Sequence, residues 1–148
     1  MTRLTYEVTI RKPVPDVFAF HTDLNNLRLI TPARMRLEIL DVDGTMDRGT
    51  RIEMKIRPFL FPINWTARVE EYQPNRKIVD MQEKGPFKLW RHCHEFHAVA
   101  EGTRLVDIIE FQLPLHPLSW PLQRFPAAWQ MNRLFNHRHL ETVRLLGQ

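Results

Sequence analysis

Residues 90 to 96, WRHCHEF, alternate Trp90, His92, His94 and Phe96 on one face with Arg91, Cys93 and Glu95 on the other. The apolar ends mark the first face as the inner one, so two imidazoles point into a core. A carboxylate, Asp107, follows in the next apolar segment, TRLVDIIEFQL. Imidazole and carboxylate together in an apolar interior have four uses. They satisfy one another in a filled core, or they hold the polar end of a ligand whose hydrocarbon lies against apolar walls. They also suit acid–base chemistry, with a His of near-neutral pKa oriented by the Asp. Two His at i and i+2 beside a carboxylate have metal-ligand spacing as well. No further ligand signature accompanies the pair, so no metal and no cofactor are assigned.

Taking Glu101-Gly102 as a two-residue turn pairs Phe96 with Asp107, His94 with Ile109, His92 with Phe111 and Trp90 with Leu113. All eight then share a face, and Arg91, Glu95, His97, Arg104, Glu110 and Gln112 mark the other as the solvent side. Counting 100° per residue along the last segment sets Asn132 and His139 among Ala128, Phe135, Val143 and Leu146. The candidate polar end is therefore His92, His94, Asp107, His139 and Asn132. Trp65, Trp90, Phe96, Phe111, Met54 and Phe135 are its candidate apolar wall. If the site is catalytic, His92, His94 and Asp107 are the acting groups. Cys93, on the outward face, reads as structural.

The elements that position these groups follow from periodicity. LTYEVTI has the period of two of a half-buried strand. PVPDVFAFHTDLNNLRLITP starts with prolines suited to a helix N-terminus, is interrupted at Asp23 and the Asn pair, and stops at Pro32, which predicts two short helices. Strand periodicity then returns through Met35, Leu37 and Ile39; Ile52, Met54 and Ile56; Ile63, Trp65, Ala67 and Val69; and Val79 and Met81, before the long hairpin. A terminal helix is predicted near residues 121 to 146. The order is strand, two helices, six strands, long helix, an α+β arrangement with one helix covering one sheet face.

Composition narrows the classes. The chain has 148 residues and 43% hydrophobic content, long enough for a single domain over residues 1–148 with a sizeable core. Its net charge of +4 comes from interspersed acids and bases with no basic run, which argues against nucleic-acid binding. One cysteine excludes an internal disulfide, and MTRLTYEVTI lacks the apolar core of a signal peptide, so a cytoplasmic protein is expected. No segment approaches the length of a membrane span.

Several motifs carry a resemblance. KPVPDVFAFHTDLNNLRLITP, GPFKLWRHCHEF, GTRLVDIIEFQLP and LFNHRH are similar to segments of the START/polyketide-cyclase superfamily (SRPBCC), closest to a bacterial ligand-binding branch. That branch often ends Phe-x-Tyr-Arg-His; Phe135, Arg138 and His139 match it, and His137 stands in place of the Tyr. The resemblance spans nearly the whole chain. It implies a helix-grip fold, a curved seven-stranded antiparallel sheet wrapped around a long C-terminal helix, with two short helices after the first strand.

The functional expectation is an internal cavity that binds a small hydrophobic or amphipathic ligand, such as a lipid, fatty acid or polyketide-like molecule, as carrier or sensor. A cyclase/aromatase-like enzyme and a regulatory module with a filled core are the alternatives. Two apolar connections, RPFLFPINW and LPLHPLSWPLQRFP, either pack on each other or offer peripheral membrane contact through Phe59, Leu60, Phe61 and Trp120. Oligomeric state is left open.

Overall fold

The structure is a computed structural model that describes residues 1–58, 61–115, 118, 121 and 126–147. Strand β1 (Thr2–Ile10) is followed by helices α1 (Val14–Thr22) and α2 (Leu24–Ile30) and a single 3-10 turn at Ala33–Met35. Strands β2 (Glu38–Val42), β3 (Arg51–Ile56), β4 (Ile63–Gln73), β5 (Lys77–Lys84), β6 (Leu89–Val99) and β7 (Gly102–Gln112) come next, and α3 (Ala128–Leu146) closes the chain. The strands form one antiparallel sheet in the order β1-β7-β6-β5-β4-β3-β2. Only β1 is out of sequence order. The segment α1–α2 therefore carries the chain from one sheet edge to the other, and α3 lies against β1 and α2. This is the curved helix-grip fold that the motifs imply.

Local chemistry sets the helix boundaries. Pro13 caps α1 in an extended conformation and Pro15 occupies its first turn, where a missing N–H costs nothing. Asp23 ends α1 and starts α2, its side chain accepting from the Asn25 N–H at 3.0 Å. Val17 and Phe18 face the sheet, and the Phe18 ring meets Phe96 edge-on with centroids 5.1 Å apart. Ile10, Val69, Ile78 and Leu105 complete that end of the core. A second cluster, Trp90, Ile109, Phe111, Leu134 and Phe135, fills the other end. Along β6 the two imidazoles fall between Trp90 of one cluster and Phe96 of the other.

The long hairpin is shifted by two residues from the expected register. Val99 pairs with Gly102, so Ala100 and Glu101 make the turn, and His94 opposes Asp107, His92 opposes Ile109, Trp90 opposes Phe111 and Phe96 opposes Leu105. The cause lies outside the hairpin. Gly102 has φ +143°, and a Cβ there would sit 2.2 Å from the Ile10 carbonyl oxygen, so the end of β1 presses onto a strand position only Gly can fill. A two-residue shift preserves parity, and the expected inward face is the observed one.

One boundary and one strand facing differ. Met35 belongs to the 3-10 turn, and β2 begins at Glu38 because Arg36, at φ 47°, turns the chain between them. Val79 and Met81 face outward, opposite Cys93 and Arg91, while Ile78 and Asp80 face inward, opposite His94 and His92. Helix α3 is described over Ala128–Leu146, with a wide turn at Pro126 and Ala127 leading into it; residues 122–125 of the expected helix lie outside the described residues.

Candidate functional site

Asp107 on β7 is the hub of the interior polar cluster. It is 4% exposed, and three imidazoles surround its carboxylate. His92 Nε2 donates to Oδ1 at 2.8 Å, and His139 Nε2, from α3, donates to Oδ2 at 2.5 Å. His94 Nδ1 comes within 2.7 Å of Oδ1, but its N–H is out of line for a hydrogen bond. Strand alternation on β6 and the β6–β7 register bring His92 and His94 to Asp107, and the 3.6-residue period of α3 brings His139 down onto it. Each distance thus rests on at least two elements.

Burial alone would raise the Asp107 pKa, but the His94 charge and the surrounding N–H donors outweigh it and hold the carboxyl well below its usual range. Burial likewise works against a charged His94, yet the Asp107 and Asp80 carboxylates lift it to about 9. His92, next to a charged neighbour, goes the other way: burial and His94 lower its pKa, and it stays neutral. The site therefore holds one ionised carboxylate, one imidazolium and one neutral imidazole within a few ångströms. That is the state expected of a network able to move a proton.

These groups form one wall of a cavity of about 310 Å³ between sheet, α1–α2 and α3. Of the residues expected at the site, His92, His94, Asp107, His139, Met54, Trp65, Trp90 and Phe135 line it. Three do not. Phe96 is covered by Phe18 and His21 from α1, and Phe111 by Phe87, with ring centroids 5.1, 5.5 and 5.7 Å away in turn. Their inward direction was read correctly, but helix and loop side chains occupy the space in front of them. Asn132 is exposed and accepts from the Tyr6 hydroxyl at 2.5 Å, which turns its side chain to β1. Cys93 is buried on the outward face, where desolvation raises its thiol to about 11. Such a thiol is a poor nucleophile at neutral pH.

Three titratable cavity residues were not expected from the sequence. Asp80 projects from β5 opposite His92. His21 lies on α1, its Nδ1–H donating to the Val17 carbonyl at 2.8 Å; burial first, then the His94 charge, lowers it to about 4 and keeps it neutral. Arg138 lies one residue before His139, and its guanidinium sits 5.2 Å over the Phe135 ring. Burial lowers its pKa against the pull of Asp107 and Asp80, and its Nε finds no hydrogen-bond partner among the described residues. Signals existed for two of these. His21 shares a helix face with Val17 and Phe18, and Arg138 is three residues from Phe135.

Of the apolar connections, Pro58 and Ile63 line the cavity, and Phe61 between them is 77% exposed. Phe59, Leu60 and Trp120 lie outside the described residues. No helix among those described is long and apolar enough to cross a membrane.

Residues 10–136 match the family described as polyketide cyclase / dehydrase and lipid transport. The chain belongs to this family. Membership agrees with the START/polyketide-cyclase resemblance of the motifs. Solved structures with the same fold include a Thermus thermophilus protein, 19% identical with a TM-score of 0.75 over 97% of this chain and 99% of that one. A Chromobacterium violaceum protein is 12% identical with a TM-score of 0.79 over 100% and 99% of the two chains. The Zhui aromatase/cyclase of a Streptomyces species is 17% identical with a TM-score of 0.75 over 96% and 91%. At these identities the likeness shows the fold alone. No curated protein matches the sequence.

Proposed function

We propose that this member of the polyketide cyclase / dehydrase and lipid transport family binds a small amphipathic ligand in its internal cavity, as carrier or sensor. The observation that carries the reading is the open volume of about 310 Å³ with a polar wall on one side. Small-molecule sites combine mostly apolar walls with a few convergent polar groups, in volumes from roughly 300 Å³ upward. Met54, Trp65, Trp90 and Leu134 would take the hydrocarbon. Arg138, whose Nε has no partner among the described residues, and the imidazolium of His94 favour a carboxylate or another anionic oxygen at the polar end. The exposed Phe61, Leu115 and Leu118 support ligand exchange at a lipid surface.

The test is native mass spectrometry and extraction of the purified protein, followed by paired affinities for a fatty acid and the alkane of equal length. A co-purifying acid, or a clear preference for the acid, is expected. Equal affinities, or no binding of either, would overturn the reading.

A second reading is acid–base catalysis on an enolisable, polyketone-type substrate. The binding of the His92 and His139 rings to one buried carboxylate favours it. Turnover of such a substrate, lost in Asp107→Asn with binding retained, would establish it over simple carriage.

A further inference from the structure

His92 and His94 stand side by side, with ring centroids 3.8 Å apart, and each presents one nitrogen to Asp107 and the other to Asp80. Toward Asp107, His92 Nε2 and His94 Nδ1 lie 2.8 and 2.7 Å from Oδ1. Toward Asp80, His92 Nδ1 and His94 Nε2 lie 3.8 and 3.7 Å from Oδ2. The second pair of distances is beyond hydrogen-bond reach. A neutral imidazole has one donor and one acceptor nitrogen, so an N–H turned to Asp107 leaves a lone pair turned to Asp80. Two lone pairs and a carboxylate then converge on one point.

We propose that Asp80, His92 and His94 bind one divalent first-row transition ion, Zn²⁺ in the first instance, with Asp107 as the carboxylate that orients both rings. One donor atom from each of the three lies within 4.8 Å of the others. Ligand atoms at roughly 2.0–2.2 Å from a tetrahedral ion are about 3.4 Å apart, so the Asp80 oxygen has a few tenths of an ångström to close on each ring nitrogen, and the two ring nitrogens, which lie within 4.8 Å of each other, have at most about 1.4 Å to close. The chemistry of the donor set, two imidazoles and one carboxylate, suits zinc and its neighbours rather than magnesium or calcium. A metal-bound His nearly always gives its other N–H to a carboxylate or carbonyl; Asp107 already accepts from His92 Nε2, and a rotation of the His94 ring would align its Nδ1–H with the same oxygen 2.7 Å away. The carboxylate available from sequence spacing was Asp107, but the one placed to ligate is Asp80.

Charge points the same way. With the imidazoles neutral, Asp80 and Asp107 face only Arg138, so the pocket carries one net negative charge that either a proton or a metal ion can offset. The groups facing the pair are Asp80 on β5, Asp107 on β7, His21 on α1, and Arg138 and His139 on α3. Three protein ligands also leave coordination positions open toward the cavity.

The inference goes beyond the ligand reading, and the metal alone is the probe. The chelator-stripped protein is titrated with Co²⁺, followed by its visible absorption, and then with Zn²⁺ by calorimetry in buffers of different ionisation enthalpy. Expected are one ion per chain and a ligand-field band. Asp80→Asn should abolish the band, and Asp107→Asn should weaken Zn²⁺ binding about 10- to 100-fold. Circular dichroism reports whether each variant folds, and His94→Gln replaces Asp80→Asn if that variant does not. Absence of a ligand-field band in the parent, or an unchanged band in a folded Asp80→Asn or His94→Gln protein, overturns the site. Fatty-acid binding by the stripped protein is scored separately, so either idea can fail without the other.

Discussion

His139 Nε2 donates to Asp107 Oδ2 at 2.5 Å, which ties the terminal helix to the strand next to the sheet edge through a hydrogen bond to a buried carboxylate. Both partners are buried, so removing Asp107 leaves the His139 ring without its acceptor.

Asp107→Ala leaves His92 and His139 without their shared acceptor and His94 without its nearest counter-charge, and should cost about 3–5 kcal/mol of unfolding free energy. His139→Ala leaves Asp107 held by His92 and should cost less, about 1–3 kcal/mol. The double variant should be barely less stable than Asp107→Ala alone. Urea denaturation of the four proteins measures this, and strictly additive losses would show that the helix and strand are not coupled through this bond.

Arg138 should set ligand class rather than affinity in general. Removing a charged hydrogen-bond donor from a bound carboxylate is worth about 1.5–3 kcal/mol, so Arg138→Leu should weaken fatty-acid binding about 10- to 100-fold. The alkane of equal length should bind as before. A parallel loss for both ligands would place Arg138 in the packing of the cavity and not in recognition.

Tyr6 should ionise late. Its ring stacks on Phe135 with centroids 5.2 Å apart, and burial pushes its phenol up to about 12. The folded pKa lies above the unfolded value of about 10, so the stability tied to the neutral phenol is present below about pH 10 and is lost as pH rises toward about 12. Spectrophotometric titration should show one phenol ionising late in the folded protein, and Tyr6→Phe should remove that step.

How far the site could be read in advance depended on which interactions are local. Strand parity is local: Trp90, His92, His94 and Phe96 alternate visibly, and they share the face expected of them. The register is not local, since it is fixed by the Ile10 carbonyl pressing on Gly102 from another strand. Asp80 was concealed by its neighbours. Val79 and Met81 suggest an inward pair, but they pack on the outward face, where Val79 is fully buried opposite Cys93, and only pairing with β6 shows Asp80 turned in. Phe96 and Phe111 point inward as expected, yet whether an inward ring meets a ligand or another side chain is decided by α1 and by Phe87, which no period in β6 or β7 encodes.

The cavity itself makes the last prediction. Ala67 on β4 lines it and is 4% exposed, so a larger side chain there has open volume in front of it rather than packed atoms. Enlarging a residue in a filled core costs about 1–3 kcal/mol through strain. Ala67→Leu should instead leave the melting temperature of the ligand-free protein unchanged or higher, because the added methyl groups gain contacts in place of a void. The same change should weaken both fatty acid and alkane, in contrast to the selective effect of Arg138→Leu. Melting curves of parent and variant, with and without a saturating fatty acid, measure both effects. A large destabilisation with ligand binding intact would mean that the volume beside Ala67 is occupied and that ligand binds elsewhere.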